Sequence, residues 1–267
     1  MVTHWRRCRR AALLVLLFAA GLTAVVVLFP LCEVLPGRRQ FRTRVQVAWY
    51  RAVSSVLAVR VRRFGQIAPE PVLWVANHIS WLDIVVLGAQ ASLTFVAKAE
   101  VGRWPIIGLM ARRTETLLVR RGDIASSRQT AEEMVWLMRK TRRVMLFPEG
   151  TSTPGDGVAR FHARLFQPLA LVGGSVQAIA LDYRGESRRI VPFVGDDVFL
   201  PHLWRLLTTE RIDVDLHFCR PLPATGRSRD QLARCTHEQI SAALGIHPVA
   251  VSRATQATPG AAPCRPS

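Results

Sequence analysis

The chain has 267 residues, a formal net charge of +17, 49% hydrophobic residues and a mean hydropathy of +0.18. This length accommodates one α/β domain with an appendage, and the core of such a domain needs no disulfides to be stable. A soluble protein this basic would be expected to bind nucleic acid, because basic side chains neutralise phosphates. The hydrophobic content favours a membrane surface instead, where anionic headgroups attract arginine. We expect no nucleic-acid partner, and a membrane-tethered nucleic-acid-binding protein stays the alternative from another class.

The first predicted element is an apolar helix, because no charged residue occurs from Ala11 to Cys32. The run is long enough to cross a hydrocarbon core about 30 Å thick. It is too long for a cleaved signal peptide and has no small-residue cleavage site. Arginines flank both ends, so the charges do not give an orientation, and the helix is either a tilted span or re-entrant. From Gln40 to Arg63, apolar and arginine positions at helical spacing predict a second helix lying on the headgroups.

After Gly65 the sequence changes to short apolar runs that alternate with amphipathic segments, which is typical of an α/β fold. We predict a mixed, largely parallel sheet flanked by helices. The predicted strands are Val72–Ala76, Leu93–Ala97, Thr116–Arg120, Val144–Phe147, Val176–Asp182 and Ile212–Phe218, and the predicted helices are Leu82–Ala89, Ile124–Thr141, Ala163–Val172 and Arg229–Leu244. The chain would then divide into membrane-anchoring helices over 1–65, a catalytic domain over 66–249 and a disordered tail over 250–267.

The segment VLWVANHISWLDIVVLG contains a candidate catalytic pair. A predicted strand ends at Asn77 and His78, and Asp83 follows in the first turn of the next helix. Strand ends are where α/β folds present catalytic groups. A carboxylate that reaches back to His78 would fix one ring nitrogen as a donor and leave the other as a base for a hydroxyl proton. On spacing alone, a helix cap with a first-turn carboxylate has equal weight.

A second candidate segment is RRVMLFPEGTSTPGDG, in which a predicted strand leads into Glu149, Gly150 and Thr151. A carboxylate at a strand end can accept hydrogen bonds from hydroxyl groups or pair with arginine, and a glycine lets a substrate approach the backbone closely. The structural alternative is an ordinary turn built from ordinary turn residues.

Together, NHISWLD and FPEGTS resemble the glycerophospholipid acyltransferase family, which carries an NHxxxxD motif and a later FPEGT motif. The resemblance makes His78 and Asp83 the catalytic residues and assigns Phe147 to Thr151 to acceptor binding. Two further segments, FVAKAEVGRWPIIG and TETLLVRRG, resemble intermediate blocks of the family. They make Lys98 and Arg121 candidate substrate-binding residues, with Arg120 as the fallback.

The match to these blocks is not complete. Glu115 and Leu118 replace the family's glycine and phenylalanine, which affects the expected acceptor more than the chemistry. Arg120 and Arg121 could equally end a surface strand. A fourth segment, VQAIALDYRG, has alanines near the family's proline, and only core packing can be assigned to it.

The resemblance implies transfer of a fatty acyl group from acyl-CoA or acyl carrier protein to the free hydroxyl of 1-acylglycerol-3-phosphate, giving phosphatidic acid. Lyso-ornithine lipid is the alternative acceptor. We expect no cofactor and no metal, and we expect backbone amides at the strand ends to hold the thioester oxyanion. The implied location is a bacterial-type inner membrane, with the catalytic domain on the cytoplasmic side and membrane lipids as partners.

Overall fold

The computed structural model describes residues 2–32, 36–114, 116–119, 128–141 and 143–246. A single mixed sheet runs through this part of the chain, in the order β1-β7-β6-β2-β5-β3-β4, with β8 paired to β6. The strands are β1 Val59–Gly65, β2 Val72–Ala76, β3 Thr94–Lys98, β4 Leu117–Val119, β5 Arg143–Leu146, β6 Ser175–Tyr183, β7 Ile212–Phe218 and β8 Leu222–Pro223. The five strands from β6 to β4 are parallel, while β7 and β8 run antiparallel to β6. The predicted mixed, largely parallel sheet is confirmed.

Helices cover both faces of the sheet. They are α1 Val2–Thr23, α2 Arg38–Val56, α3 Leu82–Gly88, α4 Pro105–Arg113, α5 Arg128–Thr141, α6 Gln167–Val172, α7 Ser187–Ile190, α8 Phe199–Thr208 and α9 Arg229–Ala243, with 3-10 turns at Ala99–Arg103 and Ala163–Phe166. Helix α9 begins at a capping box, in which Ser228 and Gln231 satisfy each other's backbone N–H groups. The sequence did not predict α4, α7 or α8.

Strand β2 lies in the centre of the sheet, and successive side chains enter two different cores. Trp74 and Ala76 pack into the core on one face, and Leu73 and Val75 pack into the core on the other. All five residues of β2 are buried. The strand that leads to His78 is therefore held on both sides.

Helix α1 belongs to a longer apolar helix, and His4–Leu31 is long and apolar enough to cross a membrane by length and composition. The helix widens into a π turn at Ala24–Leu28, just before Pro30. Proline cannot donate to the carbonyl four residues earlier and its ring crowds that carbonyl, so a wider turn relieves the conflict. Leu14 and Phe29 are buried against the domain, whereas Val15 and Leu16 face outward. One side of the helix thus packs against the domain, and the opposite side of the helix exposes an apolar stripe.

The first turns of α1 are bound to the C-terminal end of α8. The Arg10 guanidinium donates to the backbone carbonyls of Leu207 and Glu210 at 3.3 and 3.2 Å, and also to that of Thr209. The Arg7 guanidinium lies over the Trp204 ring, 4.8 Å from its centre. Cations near the C-terminal end of a helix satisfy its free carbonyls, so these arginines tie α1 to the domain.

The helix predicted from Gln40 to Arg63 is wrong beyond Val56. Helix α2 ends at Val56, Ala58 has a φ of +55°, and Val59–Gly65 forms β1, which pairs in parallel with β7. Valines alternate with arginines in this segment, and a period of two is the strand pattern. The sheet therefore begins before residue 66. The predicted tail over 250–267 lies outside the described residues, and the division into anchor, catalytic domain and tail stays a prediction.

Candidate active site

The predicted catalytic pair is assembled at the carboxyl end of β2. Nδ1 of His78 lies 2.8 Å from Oδ2 of Asp83, and the Asp83 side chain is fully buried, whereas the His78 side chain is 19% exposed. The same oxygen accepts the backbone N–H groups of Ile79 and Ser80 at 2.7 and 2.9 Å. Because a carboxylate can only accept, Nδ1 carries the proton and Nε2 is left with a lone pair. The two side chains point toward each other, as the spacing predicts.

The other carboxylate oxygen of Asp83 also has a partner. Tyr183, the last residue of β6, donates its hydroxyl to Oδ1 at 2.8 Å. This residue was not predicted from the sequence. The only available signal was a tyrosine at the end of a predicted strand, and its contact depends on β6 lying beside β2.

Glu149 clamps the backbone of His78. Its two carboxylate oxygens accept the backbone N–H groups of His78 and Ala159 at 2.7 and 2.8 Å, and the residue is 4% exposed. Burial raises the pKa of Glu149 above its usual value, against the opposing effect of the two N–H donors. With both oxygens occupied by the backbone, this carboxylate positions His78 in the present structure rather than facing the solvent side of the site.

The loop after β5 folds over His78. The Phe147 ring stacks on the His78 ring with centres 4.1 Å apart. Thr153 donates its backbone N–H to the carbonyl oxygen of His78 at 2.8 Å, and its hydroxyl reaches the same oxygen at 3.2 Å. Gly150 has a φ of +73°, which favours glycine at this position. The two motifs are therefore parts of one site.

Comparison with known proteins agrees with this geometry. The model of the family described as Acyltransferase matches residues 58–182. A lyso-ornithine lipid O-acyltransferase of Pseudomonas aeruginosa is 39% identical over 239 residues, which cover 88% of this chain and 92% of that protein. A 1-acyl-sn-glycerol-3-phosphate acyltransferase of Neisseria meningitidis is 30% identical and covers 78% of this chain and 84% of its own length. The chain belongs to the glycerophospholipid acyltransferase family.

A solved structure shares the fold. The crystal structure of the 1-acyl-sn-glycerophosphate acyltransferase PlsC from Thermotoga maritima matches with a TM-score of 0.67 at 18% identity, covering 94% of this chain and all of that one. The acyltransferase fold is thereby confirmed. The family model and the relatives confirm the enzyme class predicted from the motifs and a place in lipid biosynthesis. The chain is an O-acyltransferase.

The remaining acyltransferase motif residues are placed less completely. Gly150 and Thr151 are exposed in the loop after Glu149. Lys98 is the last residue of β3, and its side chain lies outside the described part of the structure. Arg121 and its fallback Arg120 lie outside the described residues altogether. The roles predicted for these side chains stay predictions.

The expectation that amides at the strand ends hold the oxyanion is wrong for the amides closest to the histidine. The N–H groups of His78, Ile79 and Ser80 donate to Glu149 and Asp83. The N–H of Gly150 donates to the carbonyl of Phe147 at 3.1 Å. These donors stiffen the catalytic turn and are not free to face a substrate carbonyl.

Trp81, inside the NHxxxxD motif, ties the catalytic turn of the acyltransferase to α8. Its indole N–H donates to Nδ1 of His202 at 3.0 Å, and Nε2 of His202 lies 3.1 Å from the carbonyl oxygen of Val191. An imidazole that accepts at one nitrogen and donates at the other is neutral. Consistently, burial, followed by the charge of Arg205, lowers the pKa of His202.

An apolar cavity of about 380 Å³ lies beside the catalytic turn. Its walls come from α1, α2, α3, α4, α8 and β3, and include Phe18, Trp49, Trp81, Ala97 and Phe199. His78 does not line it, but Trp81 and Ile84 do, so the cavity adjoins the helix that carries Asp83. This size is within the range of about 300–1,000 Å³ that small-molecule pockets occupy.

Proposed function

We propose that this acyltransferase transfers a fatty acyl chain from acyl-CoA or acyl carrier protein to the free hydroxyl of lyso-ornithine lipid. The observation that carries the proposal is the contact of 2.8 Å between His78 and the buried Asp83. In that pair one ring nitrogen is committed to the carboxylate and the other is available to a substrate.

In the proposed reaction, Nε2 of His78 removes the proton of the acceptor hydroxyl as its oxygen attacks the thioester carbonyl carbon. The resulting tetrahedral adduct collapses, the carbon–sulfur bond breaks, and the thiolate takes the proton back from the imidazolium. Asp83 stabilises the imidazolium through Nδ1. A positioned base of this kind contributes roughly 10²–10⁴ to the rate. No acyl-enzyme is needed, because the hydroxyl attacks the donor directly.

Lyso-ornithine lipid ranks first among acceptors because the relative named for it is 39% identical over 88% of the chain. Relatives named lyso-ornithine lipid O-acyltransferase in Brucella abortus and Rhizobium meliloti are 30% and 28% identical. The acceptor that sequence analysis placed first, 1-acylglycerol-3-phosphate, becomes the second candidate, supported by the Neisseria relative at 30% identity. The guanidinium group of arginine binds carboxylates and phosphates alike, so the arginine content of the chain does not distinguish the two acceptors.

The apolar cavity is the proposed site of an acyl chain, since its lining is almost wholly hydrocarbon and adjoins the catalytic turn. The outward apolar stripe of α1 is proposed to lie in the membrane that holds the acceptor. Arginines around it would attract anionic headgroups, each contributing about 1 kcal/mol near the surface. We place the enzyme at a bacterial inner membrane with its catalytic domain on the cytoplasmic side, where acyl-CoA and acyl carrier protein occur.

The test uses the purified full-length protein in lipid nanodiscs with labelled acyl donor and each acceptor in turn. Acylated ornithine lipid should form faster than phosphatidic acid, with His78→Ala reducing either product to background. His217→Ala is the control, because the His217 ring stacks on Phe64 and does not contact His78 or Asp83. Phosphatidic acid alone would establish the second candidate. No product from either acceptor, or full activity of His78→Ala, would refute the proposed reaction.

A further inference from the structure

Tyr183 is aimed at the catalytic carboxylate by the register of the sheet. The Asn77 side chain extends the pairing of β2 and β6, since its amide accepts the N–H of Leu181 at 2.8 Å and donates to the Leu181 carbonyl at 3.0 Å. Alternation along β6 then places Leu181 and Tyr183 on the face that α3 covers, within one core. The phenol is 2% exposed and meets Asp83 there.

The hydrogen bonds of Asp83 are divided unequally between its two oxygens. Oδ2 receives three donors, from the imidazole of His78 and the backbone of Ile79 and Ser80. Within the described residues, the donor to Oδ1 is Tyr183. A buried carboxylate oxygen that loses its donor keeps the full cost of desolvation.

We propose that Tyr183 is a positioning residue of the acyl transfer: its hydroxyl holds the Asp83 carboxylate in the rotation that presents Oδ2 to His78 and withdraws part of its negative charge from the imidazole. The inference rests on the proposed role of His78 as the base. It assigns a role to the VQAIALDYRG segment, to which sequence analysis gave only core packing.

In the described part of the chain, few charged or titratable groups surround this carboxylate. His78 and Tyr183 contact it directly, and Glu149, bound to the backbone of His78, is close enough for the Asp83 charge to add to the rise in its pKa. Burial, reinforced by the charge of Asp83, raises the pKa of Tyr183 well above the usual value. The phenol therefore stays protonated and remains a donor at neutral pH.

The decisive variant is Tyr183→Phe, which removes the hydroxyl and keeps the ring. We expect kcat/KM to fall by about tenfold or more, a part of the roughly 10²–10⁴ that a general base contributes. We also expect the acidic limb of the pH profile of kcat/KM to move to higher pH, because Asp83 then bears its full charge against the imidazolium. A purely structural role would lower the rate without moving this limb.

The chain offers a matched control, because it has two tyrosines. Tyr50 is partly buried on α2, where its ring packs against Gly88 and Phe95 rather than against Asp83. Tyr50→Phe should leave the acidic limb in place, whatever its effect on the rate. In the Tyr50→Phe background, biosynthetic replacement of tyrosine by 3-fluorotyrosine modifies Tyr183 alone. This stronger donor should move the limb to lower pH, opposite to Tyr183→Phe.

Both variant enzymes are first shown by thermal unfolding to be folded. The inference is overturned if the acidic limb stays fixed in both the Tyr183→Phe and the fluorotyrosine enzymes. A Tyr183→Phe enzyme with wild-type kcat/KM would also overturn it. Failure of the proposed function is a different result, in which the wild-type enzyme itself forms no acylated product from either acceptor. If Tyr183→Phe does not fold, the fluorotyrosine enzyme alone decides between the two outcomes.

Discussion

Glu149→Gln is the most direct test of the clamp on His78. The glutamine side chain keeps one acceptor oxygen, so it can serve only one of the two N–H groups that Glu149 now binds at 2.7 and 2.8 Å. Its NH₂ group would face the other N–H. A hydrogen bond to a charged acceptor contributes about 1.5–3 kcal/mol. Because burial already disfavours the ionised form of Glu149, removing the charge offsets part of the loss, and we expect a net destabilisation of about 1–3 kcal/mol.

Thermal unfolding and steady-state kinetics together measure the effect. In a domain of this size each kcal/mol corresponds to roughly 2–4 °C, so Tm should drop by about 2–12 °C. Displacement of the His78 backbone should lower kcat by roughly 10- to 100-fold for either acceptor. Glu238→Gln is the control, since that side chain is 51% exposed and should change stability by less than about 0.5 kcal/mol. An unchanged Tm with the whole loss in the acceptor KM would refute the clamp and support the predicted role of Glu149 in direct substrate binding.

Three further predictions follow from packing and charge. In Gly88→Ala the new Cβ would lie 2.5 Å from an aromatic ring of α2, which should cost about 1–3 kcal/mol in denaturant unfolding, whereas Gly157→Ala meets no atom within 4 Å and should be neutral. Ala97→Phe fills part of the apolar cavity and should shift donor preference toward shorter acyl chains by about tenfold in competition assays, while the exposed Ala242→Phe should not. Since the pKa of His202 is lowered in the folded state, its contribution to stability is complete above about pH 6.5 and is lost as the pH falls below that value. The wild-type Tm should therefore fall more than that of His202→Gln between pH 7 and pH 5, and equal slopes would contradict a neutral buried imidazole.

The contact between His78 and Asp83 could be predicted because it is local. His78 and Asp83 lie on either side of one short turn, so the spacing alone brings the carboxylate to the ring. The partners of Glu149 could not be predicted in the same way. The sequence shows a carboxylate at a strand end, but only the adjacency of β2 and β5 brings it to the backbone of His78.

Other elements were missed because their local signals were weak or misleading. Strand β1 carries arginines at its outward positions, and these resembled the polar face of a helix that continues α2. Helix α8 contains Pro201, a residue usually taken as a break, although proline is tolerated in a first helical turn. To predict the contact of Tyr183 with Asp83, both the strand order and the register that Asn77 sets would have been required.

The pairing of β1 with β7 has a consequence for anyone who wishes to prepare the enzyme without detergent. Cutting the chain after residue 65, the predicted end of the membrane-anchoring segment, would remove β1 and leave β7 as a bare edge, and unpaired edges recruit other chains. The same cut would remove α1 and α2, which form part of the wall of the apolar cavity, and would open the cavity to water. Truncation would thus yield aggregates rather than a soluble domain. The N-terminal segment over residues 1–65 therefore has to be kept, because it is a structural part of the enzyme.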